Sequence, residues 1–209
     1  HYLRGAYKEW AIVGCFGDNL SVTAQGMLKN LNLSSDKVAL LEKLGTCINY
    51  NGYGSDINEL HFTPDALYRL LNPYKSPFDF IADNRENYQQ LEAGYLQDMQ
   101  AASATEPLKA TATTAVFVLP DEPWARRVSG VYSNDLTNLN PTRAHAVLSE
   151  KSNGNYLVSV RAPLSNKKGA AALCMQFPSG GGREAAAGIN DLPEAMLPTF
   201  LQAFEDAFH

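Results

Sequence analysis

The residues best suited to chemistry lie in the segment Pro178-Ser-Gly-Gly-Gly-Arg-Glu-Ala-Ala-Ala-Gly188. Three consecutive glycines, Gly180, Gly181 and Gly182, free the backbone for positive φ and remove every Cβ that would hold a ligand away, so their N–H groups can converge on an anion. Arg183 and the helix-favouring Glu-Ala-Ala-Ala predict that these N–H groups sit at a helix N-terminus beside a permanent guanidinium charge. That combination suits a phosphate or a carboxylate. A tight turn that needs only flexibility fits the same glycines, since a lone Gly-rich stretch is a weak signal. Arg161 strengthens the anion case. It follows the run Tyr156-Leu157-Val158-Ser159-Val160 and so ends a strand, where α/β proteins gather their ligand sites. Between residues 143 and 183, Arg143, Lys151, Arg161, Lys167, Lys168 and Arg183 stand against the single acid Glu150, with Glu184 just beyond. The Lys167-Lys168 pair also fits a solvated turn.

Asp18 closes the apolar run Trp10-Ala-Ile-Val-Gly-Cys-Phe-Gly17. A carboxylate buried there would need a cation or a metal as partner, whereas a helix cap or turn would leave it in water. The segment Asn49-Tyr-Asn-Gly-Tyr-Gly54 could stack a base or sugar, or could simply end a helix. His1 and His209 are terminal, His61 falls in a polar turn and His145 in a strand; none has the spacing of a zinc site or a nucleophilic triad. No Gly-x-Ser-x-Gly occurs, and no complete catalytic set is recognisable. Cys15, Cys47 and Cys174 sit in apolar segments without C-x-x-C spacing, which predicts buried thiols in a reducing compartment.

The elements that must position these groups divide at Ala101–Thr114, a small, polar, proline-punctuated linker. Before it, Ser34-Ser-Asp36 caps a helix carrying Val38, Leu41, Leu44, Cys47 and Ile48 on one face. Thr63-Pro64 and Ser76-Pro77 announce helices near 64–72 and 77–83, and a longer one follows at about 84–103. After it, Ala115–Leu119 reads as a buried strand, followed by a helix near 124–138 and strands near 144–149 and 155–161. A small-residue helix at 169–177 and an amphipathic one at 193–208 complete the pattern. The 209 residues are 45% hydrophobic and carry a net charge of −5, too acidic for a broad phosphate-neutralising surface. No apolar run approaches the ~20 residues of a membrane span, so a soluble, cytoplasmic protein with no membrane partner is expected.

The second half, from Ala115–Leu119 through Ser159-Val-Arg161 to Ser179-Gly-Gly-Gly-Arg-Glu-Ala-Ala-Ala-Gly188, resembles the C-terminal substrate-binding domain of the DHH (Asp-His-His) phosphoesterases. That family has a Ser-x-Arg strand followed by Gly-Gly-Gly-His-x-x-Ala-Ala-Gly; the histidine is Arg183 here. Ala11–Asp18 is similar to the run that ends the family's catalytic domain on a metal-binding aspartate. The resemblance implies an α/β fold: residues 1–104 as the mostly helical end of a truncated catalytic domain, then 112–209 as a compact substrate-binding domain with a mixed sheet. It further implies that Asp18 is one ligand of a two-metal manganese or magnesium site. Arg161, Gly180, Gly181, Gly182 and Arg183 would hold the phosphates of a nucleotide or short single-stranded oligonucleotide. No Asp-His-His occurs in the sequence, so the chain is expected to be an inactive fragment that binds no metal by itself. A non-catalytic nucleotide-binding module is the alternative, and either reading is compatible with a homodimer.

Overall fold

The computed structural model describes residues 6–209, which form two compact units divided between Asp98 and Met99. The first unit is helical: α1 (Lys8–Gly17), α2 (Ser21–Leu28), α3 (Ser35–Tyr50), α4 (Pro64–Leu71), α5 (Pro77–Asp83) and α6 (Arg85–Ser103), whose last turn runs on past Asp98. The capping signals in the sequence account for the starts. Ser34 accepts a bond from the Lys37 N–H at 3.4 Å, Ser76 accepts one from Phe78, and prolines occupy the first turns of α4 and α5. Ile12, Val13, Phe16, Leu41, Leu44 and Phe80 fill the core. At the α1–α3 crossing the backbones touch: a Cβ on Gly45 would strike the Val13 carbonyl oxygen and lie 2.9 Å from the Gly17 nitrogen.

A polar knot ties this unit together. Tyr50 is fully buried, and its hydroxyl donates to the buried carboxylate of Asp98 on α6 while lying 2.9 Å from His61 Nε2. Its neighbour Asn51 bonds both the N–H (3.0 Å) and the carbonyl (2.8 Å) of Phe62, pinning the loop that carries His61. Tyr50→Phe keeps the ring and removes the donor, leaving a buried carboxylate short of a charge-assisted bond. It is expected to destabilise the unit by about 2 kcal/mol, read as a lower urea midpoint with an unchanged m-value.

The second unit is built on a six-stranded mixed sheet in the order β1 (Lys109–Ala110), β2 (Thr114–Leu119), β3 (Ala144–Glu150), β4 (Tyr156–Arg161), β6 (Ala186–Leu192), β5 (Gly180–Arg183). Strands β2 and β3 are parallel and joined by the crossover helix α7 (Pro123–Leu139); the other pairs are antiparallel. Side-chain alternation sorts the two faces. Val116, Ala146, Leu148, Val158, Val160, Ala187 and Ile189 pack with α8 (Ala170–Cys174) and with Phe200, Phe204 and Phe208, carried by or just beyond α9 (Leu197–Ala207). The opposite residues face α7, where Phe117 meets Tyr132 edge to face at 5.7 Å. The mixed α/β architecture expected from the sequence is therefore present.

One expected element is not. Residues 184–188 form no helix: Glu184 and Ala185 turn a tight hairpin, and Ala186 onward is strand β6, paired on both sides. Alanine's helix preference is worth only a few tenths of a kcal/mol per residue and yields to two ladders of strand pairing. No helix of the described residues is long and apolar enough to cross a membrane.

Candidate functional site

Strand register lines up the residues singled out by sequence. Pairing of β3, β4, β6 and β5 places His145, Arg161, Ala186 and Arg183 in one row across the sheet, and Val147, Ser159, Gly188 and Gly181 two residues along, in the next row on the same face. Because Val158 and Val160 point into the phenylalanine core, Ser159 and Arg161 lie on the α7 face. Helix α7 confirms this by contact, since Arg161 Nε donates to Asn134 Oδ1 at 2.9 Å. A second bond, from Arg161 Nη1 to the Val160 carbonyl at 3.3 Å, holds the guanidinium against the strand end.

The four glycines nearby are there for different reasons. A Cβ on Gly180 would be driven into the Cys174 carbonyl oxygen, and its N–H already donates to the Phe177 carbonyl at 3.1 Å. Gly182 has φ +142° and rests on Ala187, where a Cβ would lie 2.5 Å from Cα. A Cβ on Gly188 would lie 2.6 Å from the Val158 carbonyl oxygen. Packing explains these three. Gly181 is the exception: a Cβ there would meet nothing within 4 Å. The glycine cluster is thus an edge strand pressed onto α8 and β6, with an open strip at Gly181 beside Gly188 and Ser159. The convergent N–H groups of a helix N-terminus, expected from the sequence, are not formed.

The basic cluster also separates in space. Arg143, Arg161 and Arg183 gather at one end of the sheet, and the exposed Lys167 and Lys168 follow in the loop after β4. Lys151 is at the opposite end, about 17 Å away along β4 at the usual rise per residue. There it pairs with Asp191, whose carboxylate also accepts from Asn155 Nδ2 at 2.9 Å. Those bonds hold the Asp191 carboxyl below its ordinary range. The Arg161 end is also the amino-terminal end of the parallel pair β2–β3, so the usual location of α/β ligand sites, at the carboxyl ends of parallel strands, does not apply to it.

His145, beside Arg161 in register, is 1% exposed and its Nδ1 has no hydrogen-bond partner. Burial, and secondarily the Arg143 guanidinium, push its imidazole down to about 4. Sequence placed His145 in a strand and gave no sign of its neighbours, because strand register is a tertiary property. Asn134 was equally invisible, as one polar residue among several on α7.

The other candidates stand apart from this site. Asp18 is exposed and caps α1: its N–H donates to the Gly14 carbonyl, Asn19 takes φ 57°, and the Leu20 N–H returns to the Cys15 carbonyl at 2.7 Å. It is not the buried carboxylate that would demand a cation. Among the described residues no group of three or more His, Cys, Asp or Glu side chains could hold a metal ion, so the residues present do not make up the two-metal site that the resemblance implies. Residues 49–54 carry the end of α3, with Tyr50 and Asn51 buried and Gly52, Tyr53 and Gly54 exposed. All three cysteines are free; burial raises the Cys47 thiol to about 12 and Cys174 to about 11, while Cys15 is only half-buried.

No protein-family profile and no curated protein matches the chain. Solved structures similar to it include an exopolyphosphatase-related protein from Bacteroides fragilis, at 16% identity and a TM-score of 0.42 over 90% of this chain and 55% of that one. Another is the pGpG-specific phosphodiesterase PggH from Vibrio cholerae, at 15% identity and a TM-score of 0.41 over 94% of this chain and 59% of that one. The chain spans a little more than half the length of each.

Proposed function

We propose that the second unit is the substrate-holding domain of a DHH-type phosphoesterase acting on nucleotides or short single-stranded oligonucleotides, with Arg161 and Arg183 receiving phosphate oxygens along the strip opened by Gly181. The observation that carries this reading is the alignment of two guanidinium-bearing residues in one cross-strand row beside the only glycine of the cluster that packing does not require. A guanidinium on a strand end offers a planar fork of N–H donors suited to phosphate. A missing side chain at Gly181 lets a bulky anion lie flat on the sheet, and Ser159 stands in the same row one strand beyond Gly188. Arg183 stands where the family has histidine, and it offers a planar fork of donors in place of an imidazole. The manganese or magnesium pair enters this reading through Asp18 alone; further ligands would have to come from outside the residues described here.

Calorimetric titration with a 5′-phosphorylated dinucleotide tests the proposal. Arg161→Ala is expected to weaken binding ten- to a hundredfold, the loss typical of a charge-assisted bond, while Lys29→Ala in the first unit leaves affinity unchanged. Equal affinities for the wild type and Arg161→Ala would overturn it.

A further inference from the structure

We infer that Asn134 is the positioning residue for this anion site: its side-chain oxygen sets the plane of the Arg161 guanidinium without adding a charge of its own. The inference rests on the proposed phosphate-binding role of Arg161, and it names a part of the site that neither sequence motif contains.

Helix α7 is built to hold Asn134 in place. Its sheet-facing side carries the buried hydroxyls of Ser129, Ser133 and Thr137, polar groups that would be costly against a sheet if left unpaired. Each is instead turned back onto its own helix: Ser129 Oγ donates to the Arg126 carbonyl at 3.1 Å, Ser133 Oγ to Ser129 at 2.7 Å and Thr137 Oγ1 to Ser133 at 2.8 Å. Small, internally satisfied side chains let the helix lie close on the sheet, with Ala125, Val128, Val131, Tyr132 and Leu136 as its buried apolar residues. Asn134 follows Ser133 at the edge of this face and is half-buried. From there its Oδ1 reaches Arg161 Nε, which lies 27 residues away in sequence.

The chemistry of the acceptor matters. Nε is the one donor that fixes the guanidinium plane from its stem side, so a bond there leaves the orientation of the fork determined. A carboxylate in the same place would make the same bond and cancel positive charge that an anion needs. An amide orients without cancelling. Side-chain direction and net charge are therefore separable at this one position.

Three variants of the full chain, titrated with the same 5′-phosphorylated dinucleotide at two or more salt concentrations, test the inference. Asn134→Ala keeps the charge and removes the bond to Nε, leaving Nη1 on the Val160 carbonyl; about tenfold weaker binding is expected, with the salt dependence of the wild type. Asn134→Asp keeps the shape and the bond; weaker binding is expected together with a shallower salt dependence, because one positive charge is offset. Arg161→Ala serves as the reference. If Arg161→Ala loses affinity while both Asn134 variants bind as the wild type does, Asn134 has no positioning role and the phosphate-site reading survives. If Arg161→Ala binds like the wild type, that reading fails and this inference with it. Circular dichroism identifies a variant that has lost its fold; the isosteric Asn134→Asp keeps the test decisive should Asn134→Ala unfold.

Discussion

Gly180→Ala is expected to destabilise the second unit by about 3 kcal/mol or more, whereas Gly181→Ala, one residue along the same strand, leaves stability within about 1 kcal/mol of the wild type. The difference follows from what each new methyl would meet. At position 180 it enters the Cys174 carbonyl, with the Cys174 carbonyl carbon at 2.6 Å and the Phe177 oxygen at 3.0 Å. These are backbone atoms of α8 and the turn after it, which cannot rotate aside. At position 181 nothing lies within 4 Å, and alanine restricts the unfolded chain more than glycine does. Thermal unfolding of the two variants measures the contrast directly. The same pair separates packing from ligand binding: a methyl at 181 fills the strip next to Arg183 on β5 and is expected to weaken dinucleotide binding several-fold in a fully folded protein. Gly181→Ala with wild-type affinity would show that the strip is not used.

The second large effect is a loss of stability in mild acid that traces to His145. Its imidazole is held at about 4 when folded, chiefly by burial and then by Arg143, against an ordinary value of 6.5. Unfolding lets it take up a proton. The folded state therefore keeps its full stability above about pH 6.5 and loses it progressively as pH falls toward 4, by about 3 kcal/mol in total from this group. Carboxylates contribute their own acid sensitivity, so the measurement compares denaturant midpoints of the wild type and His145→Gln across this range. The variant is expected to show a flatter profile between pH 6.5 and 4. An identical slope in both proteins would assign the acid sensitivity elsewhere.

Much of the helical framework was legible from local signals. Ser34, Thr63-Pro64 and Ser76-Pro77 mark helix starts that appear within a residue of their predicted positions, because caps and N1 prolines act through bonds and torsions confined to one turn. The strands at 144–150 and 156–161 were equally plain in their apolar runs and in the Asn153-Gly154 turn between them. The failure at Glu184–Gly188 has the opposite cause. An alanine run favours helix when considered alone, and only the presence of β4 on one side and β5 on the other makes it a strand.

Composition and motif by themselves determined that this chain is an α/β protein and that Arg161 and the glycine cluster are the residues to examine. Tertiary structure alone decided where those residues stand and what surrounds them. Register brought Arg161, His145 and Arg183 into one row and sent Lys151 to the far end of the sheet, since pairing partners on different strands leave no trace in local spacing. Close backbone approach accounts for Gly180, Gly182 and Gly188 and leaves Gly181 open. The crossover helix supplied Asn134, a contact made across 27 residues of chain by the packing of α7 onto the sheet.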